Sequence, residues 1–279
     1  MRLGVDLGGT KIEVAVLDAE GRALLSRRAA TPQGGYAQAL QLLARMVRDT
    51  EREAGERCTV GVGLPGYVSA QGVVHNAYNT PLTGMPLKRD LEAELGRELR
   101  FANDANCFAL SEARDGAARG ARVVFGAILG TGAGGGIVVD GRVPGGHDAL
   151  GAEWGHNPLP WMRPDESPGP RCTCGREGCI EQFVSGPALA RERALSSESE
   201  ALARYADRLA RALAHVVNLL APDAIVLGGG VSNVQSLYAA LPSLLARYVY
   251  RREIETPVRR AAHGDASGVR GAAMLWDAA

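Results

Sequence analysis

Cys172, Cys174 and Cys179 place three thiols within residues 172–179, and His156 stands upstream in the run Gly155-His156-Asn157-Pro158. Three thiolates and one imidazole make up a tetrahedral set that zinc favours. A site closed by four protein ligands leaves no position for substrate water, so such an ion is structural. Gly175 and Gly178 let the loop wrap the metal. The plainer readings are three free loop thiols or a redox pair. Cys58 and Cys107, beside a strand and within a helix, read as core thiols.

Three glycine-rich turns point to bound phosphate. The first is Asp6-Leu7-Gly8-Gly9-Thr10-Lys11. Glycine lets the backbone come close to a phosphate and leaves its N–H groups as donors. Thr10 adds a hydroxyl and Lys11 a positive charge; Lys88 is the only other lysine of the chain. Asp6, at the strand end, can hold Mg²⁺ through water, because that ion keeps part of its hydration shell. The run is not a Walker A motif, since the spacing and the following helix are missing. The second turn, Gly130-Thr131-Gly132-Ala133-Gly134-Gly135-Gly136, holds more glycine than a hairpin needs. The third, Gly228-Gly229-Gly230, follows a buried strand and precedes a helix that Ser232-Asn233 would cap. Singly each is an ordinary hairpin or strand–helix link. Together they read as a nucleotide cleft, with Gly8, Gly9, Thr10, Lys11, Gly130, Thr131, Gly132, Gly228, Gly229 and Gly230 facing the nucleotide.

Asn103-Asp104-Ala105-Asn106 follows a strand and opens a helix. Alone, Asp104 reads as an N-cap. Facing a nucleotide, it becomes the acceptor for a substrate hydroxyl proton, which phosphoryl transfer needs besides positioning and charge neutralisation. Glu153 and His156, three residues apart, can offer a carboxylate and an imidazole to vicinal hydroxyls, and Glu181 is a further candidate. If one ring nitrogen of His156 binds zinc, the other can donate to substrate. For all three the plainer reading is a polar loop surface.

The elements that position these groups are legible from periodicity. Strands are expected over 2–7, 13–17, 22–29, 59–64, 99–102, 123–129, 137–139 and 224–227. Helices are expected over 36–54, 87–95, 105–114, 200–220, 234–248 and 269–276. Asp140-Gly141 makes a hairpin turn, and 145–178 is a long irregular insert of the kind that carries function. Two halves each begin strand–glycine turn–strand. This implies two α/β lobes with a cleft between them: a smaller one over 1–112, a larger one over 113–266 with the zinc insert, and a closing helix over 267–279 that packs back on the first.

Composition sets bounds on function. The 279 residues are 46% hydrophobic and 22% charged, which allows a sizeable core. With 31 basic against 31 acidic residues, no global field draws the chain to nucleic acid or an anionic membrane. No stretch approaches the roughly 20 apolar residues of a membrane span. No secretory signal is legible at the start, and five cysteines, an odd count, argue against a disulfide framework, so a cytoplasmic location is expected.

The segments DLGGTK (6–11), GLPG (63–66), NDAN (103–106), LGTGAGGG (129–136), EWGH (153–156), CTCGREGCIE (172–181) and LGGGVSN (227–233) together resemble the ROK family of bacterial sugar kinases, in the family's order and over almost the whole chain. The cysteine signature and EWGH carry most of the specificity. The resemblance implies a two-lobed actin-like ATPase (ribonuclease H-like) fold, usually dimeric, with ATP–Mg²⁺ between the lobes and Asp104 as catalytic base. It implies a hexose held by Gly66, Asn103, Asp104, Glu153, His156 and Glu181. The family's further sugar asparagine falls in His75-Asn76-Ala77-Tyr78-Asn79-Thr80, where Asn79 is taken. Segments 151–162, 213–233 and 255–276 look most like fructokinases, so fructose is the expected acceptor of a 6-phosphotransferase. The N-acetylglucosamine kinases share segments similar to 103–113 and 263–268 and are the alternative; glucokinases are another. A sugar-responsive repressor would carry a helix-turn-helix ahead of DLGGTK, where only five residues stand. The segment 185–202 is shorter than the resemblance leads one to expect, as if a helix were missing.

Overall fold

The computed structural model describes residues 1–78, 80–144, 152–251 and 255–277. By its internal contacts the chain forms two compact units. Unit 1 comprises Met1–Ser111, Arg142–Gly151 and Ala266–Ala279; unit 2 comprises Glu112–Gly141 and Ala152–Asp265.

Unit 1 begins as an antiparallel meander of β1 (Arg2–Leu7), β2 (Lys11–Leu17) and β3 (Ala23–Ala30). The helix α1 (Tyr36–Ala54) buries Ala39, Leu43, Ala44 and Val47, a stripe at three- and four-residue spacing, and ends where Gly55 takes φ 76°. Then come β4 (Thr59–Leu64), the small ribbon β5 (Tyr67–Val68) and β6 (Val74–His75), α2 (Leu87–Leu95), β7 (Arg100–Asn103) and α3 (Asp104–Arg114). The sheet order is β3-β2-β1-β4-β7, and β1, β4 and β7 run parallel. The chain passes from unit 1 to unit 2 within α3.

Unit 2 opens with the hairpin β8 (Val123–Leu129) and β9 (Ala133–Val139). It continues through α4 (Glu181–Val184), α5 (Gly186–Leu195), α6 (Glu198–Leu220), β10 (Ala224–Gly228), α7 (Ser236–Leu245) and β11 (Val258–Arg260). Its sheet order is β11-β10-β8-β9, with β11, β10 and β8 parallel. The short 185–202 segment therefore holds a helix of its own, α5, joined almost directly to α6. Ser197 and Glu200 form a capping box at the start of α6.

A buried ionic network ties the insert to α6. Arg211, 1% exposed, donates to both carboxylate oxygens of Glu166 at 2.8 and 2.7 Å, and Arg208 Nε donates to Glu166 Oε1 at 2.8 Å. Burial pushes the Glu166 carboxyl up, but hydrogen bonds from Arg211, the Arg163 N–H and Arg208 outweigh it and hold it at about 2. A carboxyl depressed in the folded state contributes stability above its ordinary value of 4.5 and loses that contribution as pH falls through about 2. Glu166→Gln is thus expected to melt below wild type at neutral pH and to converge on it in acid. Melting curves that stay parallel from pH 7 to pH 3 would contradict this assignment.

The last helix, α8 (Ser267–Ala273), lies on the unit 1 sheet at contact distance. A Cβ on Gly4 would sit 1.9 Å from the Val269 carbonyl oxygen, one on Gly61 1.9 Å from that of Ala272, and one on Gly271 1.7 Å from that of Cys107. These three positions admit no side chain, and that is what lets helix backbone press on strand and on α3.

Several boundaries differ from the sequence reading. Gly134–Gly136 are not loop: β9 starts at Ala133, and these glycines pair with Ile128, Ala127 and Gly126. At Gly135 a Cβ would meet Trp154 Cδ1 at 2.5 Å and the Ala152 carbonyl oxygen and Phe125 Cζ at 2.9 Å, which leaves room for glycine alone. Ser232 and Asn233 do not cap a helix. They lie in a 3-10 turn, Gly230–Asn233, and α7 starts beyond it with no side-chain cap. β11 and the β5–β6 ribbon were not legible, since two- and three-residue strands show no alternation.

Candidate active site and metal centre

In unit 1 the candidate residues gather at one edge of the sheet. The parallel registers align Asp6 with Gly63 and Gly63 with Ala102, and Leu64 with Asn103. The turn after β1 (Gly8 to Lys11), the turn after β4 (Pro65-Gly66) and Asp104 after β7 therefore all lie at strand carboxyl ends, where ligands of open α/β sheets bind. At about 4.8 Å per strand, Asp104 stands roughly 10 Å from the end of β1. Cys107, fully buried, lies between the two acids: burial raises its thiol well above its ordinary range, and Asp6 and Asp104 add to that.

Local bonds fix each of these groups. Gly8 N–H donates to the Lys11 carbonyl at 2.9 Å, closing the hairpin, and Thr31 Oγ1 donates to the Gly8 carbonyl at 2.7 Å from outside. Gly66 takes φ 71°, and a Cβ there would sit 2.0 Å from the His75 carbonyl oxygen. Asn103 Nδ2 donates to the Gly66 carbonyl at 3.0 Å, and its Oδ1 accepts from Ala105 N–H at 2.9 Å. Asp104 Oδ1 accepts from the same Ala105 N–H at 2.8 Å. Burial and the neighbouring Glu13 raise the Asp6 carboxyl to about 6, against Lys11 and Arg28. A carboxylate desolvated in this way gains from a cation, which fits the assignment of Asp6 to Mg²⁺. Gly268 was missed by the sequence reading: a Cβ there would sit 3.2 Å from Asp6 Oδ2, at the start of α8. Asn79 lies outside the described residues.

In unit 2 the remaining candidates form one contiguous assembly. The turns after β8 and β10 meet: a Cβ on Gly229 would sit 2.5 Å from the Leu129 carbonyl oxygen and 3.0 Å from Gly130 N. Glu181 Oε2 accepts from Ala133 N–H at 3.1 Å and lies 2.5 Å from where a Gly132 Cβ would stand. Gly155 packs on Ala133, where a Cβ would come within 1.9 Å of the carbonyl oxygen. That contact seats Glu153 and His156 beside the Gly130–Gly132 turn. Sequence reasoning also missed Gly186, whose N–H donates to the Gly130 carbonyl at 2.7 Å; the signal was Ser185-Gly186-Pro187, a cap with proline in the first turn.

The cysteines complete this assembly. Ligand atoms of His156, Cys172, Cys174 and Cys179 all lie within 4.8 Å of one another. His156 Nδ1 is 3.5 Å from Cys172 Sγ, and the sulfurs of Cys174 and Cys179 are 3.6 Å apart. A tetrahedral zinc with bonds of about 2.0–2.3 Å sets ligand atoms roughly 3.3–3.8 Å apart, a spacing that these two pairs match. With Nδ1 turned to the sulfurs, Nε2 points away from them. Cys172 Sγ also lies 3.7 Å from Glu181 Oε1, linking the centre to the glycine turn. Burial, with Cys174 and Cys172 nearby, pushes the Cys179 thiol up to about 12, whereas the Arg176 backbone N–H lowers that of exposed Cys174.

The ROK family model matches residues 2–279, and the chain belongs to the ROK family. It is 39% identical over 300 residues to the N-acetyl-D-glucosamine kinase of Pectobacterium atrosepticum, covering 99% of this chain and 98% of the relative. Among solved structures it resembles a ROK hexokinase from Thermus thermophilus, with TM-score 0.86, 34% identity and coverage of 98% and 97%. It also resembles a ROK-family glucokinase from Streptomyces griseus, solved with glucose and AMPPNP, with TM-score 0.79, 30% identity and coverage of 98% of both chains. The fold is the mixed α/β fold of ROK kinases, of the actin-like ATPase type. No helix among the described residues is long and apolar enough to cross a membrane.

Proposed function

We propose that this protein is an ATP-dependent kinase that phosphorylates the 6-hydroxyl of a hexose, with N-acetylglucosamine as its first acceptor. The observation that carries the reading is the 39% identity, over 99% of the chain, with an N-acetyl-D-glucosamine kinase. It favours the alternative acceptor over fructose. Fructose, with mannose beside it, stays as a second reading because three stretches, residues 151–162, 213–233 and 255–276, look like fructokinases.

Gly66, Asn79, Asn103, Glu153, His156 and Glu181 orient the sugar, and Asp104 takes the proton of the reacting hydroxyl. Proton loss can come late in phosphoryl transfer, so the acceptor need not be a strong base. Backbone N–H groups of Gly8 to Lys11, Gly130 to Gly132 and Gly228 to Gly230 hold the phosphates, with Lys11 adding charge. Mg²⁺, held by Asp6 through water, would neutralise phosphate charge. Zinc on His156, Cys172, Cys174 and Cys179 pins the insert and sets the His156 ring, so that Nε2 is available to a sugar hydroxyl. The protein works in the cytoplasm as a homodimer.

Coupled ADP release should be measured with N-acetylglucosamine, glucose, mannose and fructose. The highest kcat/KM is expected with N-acetylglucosamine. A fructose preference would move the acceptor assignment, and no turnover with any sugar would remove the kinase reading.

A further inference from the structure

β2 carries a carboxylate that this reaction leaves without a role. Glu13 is 3% exposed, although its strand follows the Gly8–Lys11 turn directly. The antiparallel registers set it in a row across three strands: Asp6 on β1 is opposite Glu13, and Glu13 is opposite Arg28 on β3. Lys11 precedes Glu13 by two residues, so strand alternation puts both side chains on one face.

The contacts follow the register. Arg28 Nε lies 2.8 Å from Glu13 Oε2, and Arg28 Nη2 donates to Oε1 at 3.1 Å. Ser26 Oγ donates to Oε1 at 3.3 Å, and Lys11 Nζ stands 4.0 Å from Oε2. Two acids and two bases thus share one face beside a turn assigned to phosphate. The side chains of Lys11 and Arg28 are 45% and 54% exposed, and that of Glu13 is 4% exposed.

Burying a carboxylate is costly, and replacing a whole buried ion pair by apolar residues of similar volume is often neutral or stabilising. The fold alone does not call for an ion pair of Glu13 with Arg28 at this place. A free lysine side chain, by contrast, ranges over many rotamers. A fixed anion below it restricts that range.

We propose that Glu13 is a positioning residue for the polyphosphate of the nucleotide: it tethers Lys11 beside the Gly8–Lys11 turn, with Arg28 and Asp6 completing a charge-balanced row. The ammonium then meets the phosphates already oriented, and less ordering is left to binding. This rests on the kinase reading above.

The test is steady-state kinetics of the full chain as wild type, Glu13→Gln, Lys11→Met and the double variant. Because a misplacement of about 1 Å can cost up to roughly 10²-fold, Glu13→Gln is expected to raise KM for MgATP by about tenfold or more. KM for the sugar should stay within about twofold of wild type, since only the nucleotide contact is disturbed. In the Lys11→Met background Glu13→Gln should add nothing further, because both changes remove one interaction. Equal shifts in both KM values, or additive effects in the double variant, overturn the proposal. If Glu13→Gln does not fold, Arg28→Gln serves: it loosens the anchor from the half-exposed side and should raise KM for MgATP alone. An unchanged KM for MgATP in that variant overturns the proposal equally. Wild-type turnover in the same assay separates the two claims: an inactive wild type fails the kinase reading, and an active one with an unaffected Glu13→Gln fails only this inference.

Discussion

Asp104→Ala is expected to lower kcat by roughly 10²–10⁴-fold, the usual contribution of a positioned proton acceptor. The loss should fall on kcat more than on KM for MgATP, because the carboxylate acts on the hydroxyl in the transition state. Local structure makes the experiment readable. Ala105 N–H donates to Asp104 Oδ1 at 2.8 Å but also to Asn103 Oδ1 at 2.9 Å, so truncating Asp104 leaves that N–H with a partner at the start of α3. The helix should survive, and the melting temperature should change little. Asp104→Asn keeps the shape and removes the basic oxygen, so it should be about as inactive. A rate within about tenfold of wild type in either variant would remove Asp104 from the catalytic role.

Loss of the cysteine centre should produce the largest change in stability. The four ligand atoms are already gathered, yet without a cation the Cys179 thiol is held up at about 12 by burial and its sulfur neighbours. Binding zinc as thiolates therefore releases protons, and the bound metal contributes folding free energy. Metal analysis should find about one zinc per chain. Stripping the metal with a chelator, or Cys172→Ser or Cys179→Ser, should lower the melting temperature strongly and release the insert. Cys174 is exposed, so Cys174→Ser tests whether the fourth ligand counts: zinc content and stability should both fall. Full retention of zinc in Cys174→Ser would take that residue out of the set. Because Cys172 Sγ lies 3.7 Å from Glu181, which accepts from Ala133 N–H, the metal-depleted protein should also bind sugar more weakly.

Much of this arrangement could be read in the residues, and the omissions have physical causes. Long periodic segments gave α1 its bounds directly, and β4 and β8 likewise, since a buried stripe or run leaves a plain pattern. The cysteine signature carried its own chemistry. The glycine run at 130–136 was read too broadly: glycine marks both phosphate turns and crowded strands, and the pairing of Gly134–Gly136 with β8 and the crowding at Gly135 by Trp154, Ala152 and Phe125 separate the two. Glu13 reads from sequence as an ordinary polar position of a strand. Its burial depends on register with β1 and β3, which no local pattern reveals. Gly268 was invisible for the same reason, since its neighbour Asp6 is far away in sequence. Asp104 was legible as either cap or base. The structure shows Asn103 bonding the same N–H.

The most direct measurement is a crystal structure of the full chain with MgAMPPNP and N-acetylglucosamine. The account expects the Asp104 carboxylate within about 2.6–3.2 Å of the sugar 6-hydroxyl, and that hydroxyl in line with the terminal phosphoryl group. A bound sugar whose 6-hydroxyl lies beyond the reach of Asp104, or a nucleotide seated away from the Gly8–Lys11 and Gly130–Gly132 turns, would contradict it.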